Sequence, residues 1–201
     1  MTPELRRFRG PLTLDGMGIR QRLTVAVLAV AALVFGPAQA SADRLARQDY
    51  LAQAGPLARA VAAEFGIPAS VAAGQSILES SWGQSRLAVN DLNFFGFKCT
   101  TAGPGPMAIA CHDYPTTECT PDCHQVQALF RVYDSMQASF RDYGRVLSTS
   151  KNYAAARPLA HDPNAFVTEV AKKYATDPLY AGKVIRVMQE NDLYKLDAPL
   201  P

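Results

Sequence analysis

An α+β fold, mainly α, with a small β lobe set into a helical body is what this sequence predicts. Three observations carry that reading. Apolar residues recur at helical spacing in the segments before residue 84 and after residue 134. Between them lies a Gly/Pro-rich stretch followed by short alternating runs. All four cysteines fall inside that middle stretch. With 201 residues, 48% of them hydrophobic, and no internal repeat, the chain has enough apolar material for one well-formed core.

The first forty residues read as an export signal and are set aside before the fold is considered. Arg20 and Arg22 precede an apolar run from Leu23 to Phe35, and Gly36-Pro37-Ala38-Gln39-Ala40 supplies a break and a small-x-small cleavage pattern. The run is shorter than the ~20 apolar residues a bilayer span requires. The mature chain is expected to begin near Ser41, outside the cytoplasm and associated with the cell wall, with no stable membrane span. Cleavage removes Arg6, Arg7, Arg9, Arg20 and Arg22 with Glu4 and Asp15, which leaves 15 basic against 16 acidic residues. A chain so balanced has no electrostatic footprint for nucleic acid or an anionic membrane, and an uncharged polymer such as a glycan suits it better.

Residues 41–53 read as an extension of the mature chain and 54–197 as its folded domain. A helix is expected from Asp49 to Phe65, where Leu51, Ala54, Leu57, Val61 and Phe65 share one face and Gly66 ends it. The next opens at Pro68 and carries Val71, Ala72, Gln75, Ile77 and Leu78 to Glu79, with Gly83 as the stop. Glu79 is the most informative residue of the chain. A carboxyl group in a last turn meets the negative end of the helix dipole, and Trp82, Phe94 and Phe95 lower the polarity around it. Both effects favour the protonated form, which is what a general acid near neutral pH needs. The competing reading is a solvated glutamate on an outer helix face.

Asn90 to Phe97 is a polar-aromatic loop. The β lobe, about residues 97–133, then holds strands at Met107–Tyr114 and Gln125–Val132. Cys99, Cys111, Cys119 and Cys123 permit three pairings in an oxidising compartment. The pairs Cys99–Cys111 and Cys119–Cys123 are preferred because each closes a turn between neighbouring strands. A metal site is disfavoured, since the spacing matches no CxxC ligand pair although His112 and His124 adjoin cysteines. Helices resume after the Asp134-Ser135 cap, again from Asn164 to about Tyr174, and from Pro178 through Met188. Asp177 reads as a cap of the last one, and His112, His124 and His161 as turn or surface residues.

Five segments together carry a resemblance: Gln75 to Gly83, Asn90 to Lys98, Thr116-Thr117-Glu118, Phe130 to Ser135, and Tyr174-Ala175-Thr176-Asp177-Pro178-Leu179-Tyr180. In this order they resemble glycoside hydrolase family 73, the endo-β-N-acetylglucosaminidases of bacterial walls, which include the flagellar peptidoglycan hydrolase domain. The resemblance runs from about Ala54 to Asp197. It implies a lysozyme-like two-lobed fold and cleavage of the β-1,4 bond between N-acetylglucosamine and N-acetylmuramic acid in peptidoglycan glycan strands. It further implies Glu79 as general acid, Glu118 as second carboxylate and Tyr174 as a residue lining the site. Trp82, Asn93, Phe94, Phe95 and Tyr180 are the candidate substrate contacts. No cofactor or metal is expected, and the chain is expected to act as a monomer.

Two other functions compete with this one. A lytic transglycosylase would share the fold and the helix-end glutamate but use no second carboxylate. A wall-binding module would leave Glu79 without a task. For the hydrolase, two carboxyl groups flanking the bond is the usual arrangement, and their separation sets the stereochemistry.

Overall fold

The computed structural model describes residues 19–119 and 122–199, with side chains described at 39–116, 122 and 124–199. The chain divides into two compact units, the second beginning at Leu45. Residues 1–18 of the expected export signal lie outside the described residues. Helix α1 spans Ile19–Phe65, starting far upstream of the expected Asp49. It continues through Gly36-Pro37, where a break was expected: one proline removes a single backbone bond, and the alanine-rich sequence around it favours helix. Among the described residues no helix is long and apolar enough to cross a membrane.

In the unit from Leu45 onward, the core is helical. Helices α2 (Ala69–Ser80), α4 (Met136–Thr149), α5 (Pro163–Tyr174) and α6 (Tyr180–Glu190) enclose it with the last four turns of α1. Helix α2 is the central one, and ten of its twelve residues are buried, including Val71, Ala72, Ala73 and Ile77. Burial of α2 on nearly every side explains its near-continuous apolar run. Helix α4 is amphipathic, with Phe140, Tyr143 and Leu147 buried together with one charged residue, Asp142, and Arg141 exposed on the other side. Ser135 caps it by accepting from Ala138 N at 3.1 Å, and Asp162 caps α5 through Asn164 N and Ala165 N. The first cap is one the sequence marked, and the second lies two residues before the expected start of its helix at Asn164. Three short 3-10 turns, Lys151–Tyr153, Arg157–Leu159 and Leu193–Leu196, were not anticipated.

The β lobe is one antiparallel pair, β1 (Ala110–Cys119) with β2 (Cys123–Val132). The expected first strand, Met107–Tyr114, is thus displaced toward the C-terminus, and it takes in Thr116-Thr117-Glu118. Pro115 remains inside because β1 is an edge strand, where a missing donor is tolerated, whereas the outer side of β2 pairs with the segment around Lys98. A short helix α3, Arg86–Asp91, falls where only a connection was read; Ser85 caps it by accepting from Ala88 N at 3.2 Å.

Arg131 binds the lobe to the helical body. Its guanidinium donates to Lys98 O and pairs with Asp142 of α4, which also accepts from Tyr133 Oη at 2.8 Å and pairs with Arg145. Asp142 is fully buried, so its charge is tolerated only because two guanidinium groups and a phenol surround it. Cys99 and Cys111 are joined by a disulfide that ties the irregular segment to β1. Cys119 stands opposite Cys123 in the strand register, and the side chains of that pair lie outside the described ones.

Candidate active site

Helix α2 ends one residue after Glu79, by an unusual device. Ser81, Trp82 and Gly83 are all left-handed, with φ of 50°, 60° and 76°. The sequence marked Gly83 as the stop, yet the turn begins two residues earlier on side chains that pay a steric penalty for that conformation. Ser80 holds it: its Oγ donates to Ser76 O at 2.5 Å and accepts from Gly83 N at 2.8 Å. The Tyr50 ring closes against Gly83, where a Cβ would stand 3.0 Å from the ring edge. Strain concentrated next to a candidate catalytic group marks a position whose geometry matters.

The Glu79 carboxyl is half-buried between Gly96 of the loop after α3 and the start of α6. Oε1 accepts from Tyr180 Oη at 2.6 Å. Oε2 lies on the side of Gly96, where a built Cβ would be 3.7 Å away and φ is +64°. A residue other than glycine would strain that turn and crowd the oxygen. Burial raises the pKa of Glu79 above the ordinary carboxylate value, and the Tyr180 hydrogen bond offsets part of the rise. The direction is the one a general acid needs, and burial is its main cause.

Behind Tyr180 runs a buried polar chain. Gln75 Nε2 donates to Tyr180 Oη at 2.8 Å, and Gln75 Oε1 accepts from Tyr143 Oη at 2.6 Å. Gln75 and Tyr143 are fully buried. Desolvation drives the pKa values of Tyr180 and Tyr143 well above ordinary tyrosine, so both stay protonated as donors. Sequence reading quoted Gln75 within a motif but gave it no role. The available signal was a lone amide in an otherwise apolar or small helical run.

The other expected site residues divide into several groups. Tyr174 is half-buried; it donates to Phe95 O at 2.8 Å and stacks on Tyr180 at 5.6 Å, which makes it a support for Tyr180. Tyr180, expected to touch substrate, is 5% exposed and donates to Glu79 Oε1. Asn93, Phe94 and Phe95, also expected as substrate contacts, are buried at 1%, 6% and 1% exposure. The physical reason is local. Asn93 satisfies its own loop by donating to Phe97 O and Arg131 O and accepting from Phe97 N. Phe95 stacks on Tyr143 at 4.2 Å, while Phe94 packs on Phe140 and Tyr50.

Trp82 remains half-buried, with Arg47 over its ring at 5.1 Å and Tyr50 edge-on. The backbone of Glu118 pairs with His124 near the hairpin tip, and its side chain lies outside the described ones. Asp177 accepts from Leu179 N at 2.8 Å and pairs with Lys183, which holds its carboxyl below the usual value and serves the start of α6. His112, expected at the surface, places Nδ1 2.6 Å from the buried Asp91 carboxylate. Among the described residues no group of three or more His, Cys, Asp or Glu could hold a metal.

A helical body with a two-stranded lobe, and a helix-end glutamate whose pKa is raised by burial, define a lysozyme-like glycoside hydrolase domain. Residues 55–193 match the glucosaminidase family, described as mannosyl-glycoprotein endo-beta-N-acetylglucosaminidase, and the chain belongs to that family. Peptidoglycan hydrolase FlgJ of Salmonella typhimurium is 32% identical over 148 residues, covering 71% of this chain and 46% of that protein. A probable N-acetylmuramidase of Lactococcus lactis subsp. lactis is 34% identical over 148 residues, covering 70% and 32%. The chain therefore spans less than half the length of these curated relatives. The C-terminally truncated glycoside hydrolase domain of Salmonella typhimurium FlgJ superposes with a TM-score of 0.57 at 31% identity, covering 73% of this chain and 97% of that one.

Proposed function

We propose that this chain is an exported peptidoglycan hydrolase, acting outside the cytoplasm on the β-1,4 bond between N-acetylglucosamine and N-acetylmuramic acid. The observation that carries the reading is Glu79, half-buried at the end of α2, where desolvation raises its pKa and Tyr180 donates to its Oε1 at 2.6 Å. In the reaction Glu79 donates that proton to the glycosidic oxygen as the bond to the anomeric carbon breaks, and the oxocarbenium-like centre is then met by water. Glu118 is the second carboxylate of this scheme, stabilising positive charge or activating the water. Tyr174 shapes the site through its stack on Tyr180. Trp82, half-buried beside the acid's turn, is the remaining aromatic candidate for a sugar face. A second bridge between Cys119 and Cys123 belongs to the same reading, supported by their facing register.

Support for the substrate comes from the names of the relatives, peptidoglycan hydrolase and probable N-acetylmuramidase; the first names no bond, and the second names a different bond from the glucosaminidase family description. Two measurements test the proposal. Glu79→Gln keeps the shape of the side chain and removes its proton, so clearing of a wall-containing gel should fall by at least about 100-fold, the contribution of a general acid. Binding to purified sacculi should persist. Undiminished clearing by Glu79→Gln would refute the reading and leave a binding module. Mass spectrometry of wild-type digests should find new reducing ends on N-acetylglucosamine. Reducing muramic ends would reassign the bond, and anhydro-muramic ends would make the enzyme a lytic transglycosylase.

A further inference from the structure

Glu79 has two oxygens, and only one of them can present the catalytic proton to a sugar. We propose that Gln75 is the positioning residue that makes this choice, by compelling Tyr180 to donate to Oε1 and so committing the acid's own proton to Oε2, on the Gly96 side. The inference rests on the reading of Glu79 as the acid.

The argument is one of donor and acceptor accounting along the buried chain. Tyr143 Oη donates to Gln75 Oε1 at 2.6 Å, which orients the amide with its NH2 toward Tyr180. The Tyr180 oxygen then receives a hydrogen from Gln75, and among the described residues its single hydroxyl hydrogen goes to Glu79 Oε1 at 2.6 Å. If Glu79 carried its proton on Oε1, the Tyr180 hydrogen would be left without a partner in a 5% exposed site, a costly arrangement. The proton therefore resides on Oε2. No polar side chain intrudes from the Gly96 position, which is bare hydrogen where a Cβ would come within 3.7 Å.

The same chain sets the acidity. A phenol that is itself receiving a hydrogen bond is a stronger donor, and its donation stabilises the carboxylate formed once the proton is given up. Besides Tyr180 on α6, the described titratable groups whose charge is felt with Glu79 are Tyr143 on α4 and Tyr174 on α5. Both are protonated throughout the neutral range. The network is thus a set of fixed dipoles with one titrating member.

Without the amide, Tyr180 is free to rotate and accept from Glu79, drawing the proton away from the sugar and stabilising the neutral acid. The test is a carbon-13 titration of the Glu79 carboxyl, made alongside kinetics on soluble glycan fragments. In Gln75→Met the carboxyl should titrate about one pH unit higher than in wild type, a tenfold gain in proton affinity. Its kcat should fall about tenfold with KM within about twofold, the signature of an interaction that matters in the transition state. In a Tyr180→Phe background the same substitution should move the titration no further.

Tyr143→Phe, which keeps the amide but frees its orientation, should shift the titration in the same direction by less and serves if Gln75→Met does not fold. A lower melting temperature with an unmoved titration would reduce Gln75 to a packing residue and overturn the proposal. The two readings fail separately. Activity surviving in Glu79→Gln removes the acid itself, whereas an inactive Glu79→Gln together with unshifted Gln75→Met and Tyr143→Phe removes only the role of Gln75.

Discussion

Glu79 is stable in the fold as an acid and uncomfortable as an anion. Its folded pKa is raised by burial, so the carboxyl contributes most to stability below the ordinary glutamate value, and that contribution is lost as pH rises through the elevated folded value. Glu79→Gln, which cannot ionise, should therefore melt above wild type at pH 8, with the difference shrinking toward pH 4. Calorimetry at the two pH values checks the sign. Equal offsets at both would mean that ionisation of Glu79 carries no folding cost. This is the usual tension between a strained functional group and stability. What the sequence disclosed at this scale was the acid itself, because its apolar and small neighbours were visible. It could not disclose that Asn93, Phe94 and Phe95 turn inward: an aromatic loop beside a glutamate reads equally as a sugar platform or as a lid of core, and only the Phe95–Tyr143 stack decides.

Among the elements, α2 and the turn after it matter most. The left-handed run at Ser81–Gly83 is held by the Ser80 hydroxyl and by the Tyr50 ring, so Ser80→Ala should strand the Gly83 N–H and release strain toward a longer helix. The expected loss is about 1–3 kcal/mol, which thermal unfolding would record as about 2–4 °C per kcal/mol. An unchanged melting temperature would show that the Tyr50 packing suffices alone. The positions of α2, α4, α5 and α6 and the end of α1 were legible because 3.6-residue periodicity and capping residues are local signals. Strand bounds and α3 were not. The β1–β2 ribbon is fixed by register and by the Cys99–Cys111 link rather than by apolar alternation, and a six-residue helix is too short to show a period.

At the scale of the unit beginning at Leu45, the buried apolar cluster lies almost wholly in the helical body, and Tyr114, Phe130 and Tyr133 of the lobe stand outside it. Two separately anchored lobes should loosen separately. Closing the Cys99–Cys111 loop, with a separation of 12 residues, is worth about 3 kcal/mol in chain entropy. In Cys99→Ser/Cys111→Ser, amide exchange should accelerate throughout β1 and β2 while α2 and α4 keep most of their protection, and hydrolysis should fall more than stability. Uniform acceleration would instead make the disulfide a brace for the whole fold. That division into a body and a braced lobe was readable from the cysteine window. The Arg131–Asp142 tie between them was not, since 11 residues of spacing give no hint of a buried ion pair.

The tail of the chain gives one more lesson in design. Arg59 grips the carbonyls of Lys195 and Ala198, and Asp197 accepts from Ser70 N at 2.9 Å. The strand of sequence leaving the fold is thereby clamped to the head of α2, nine residues or about 14 Å of helix axis from the carboxylate at its foot. A fluorophore or affinity handle grafted after Pro199 would thus be stationed at the opposite pole of the rod from the acid.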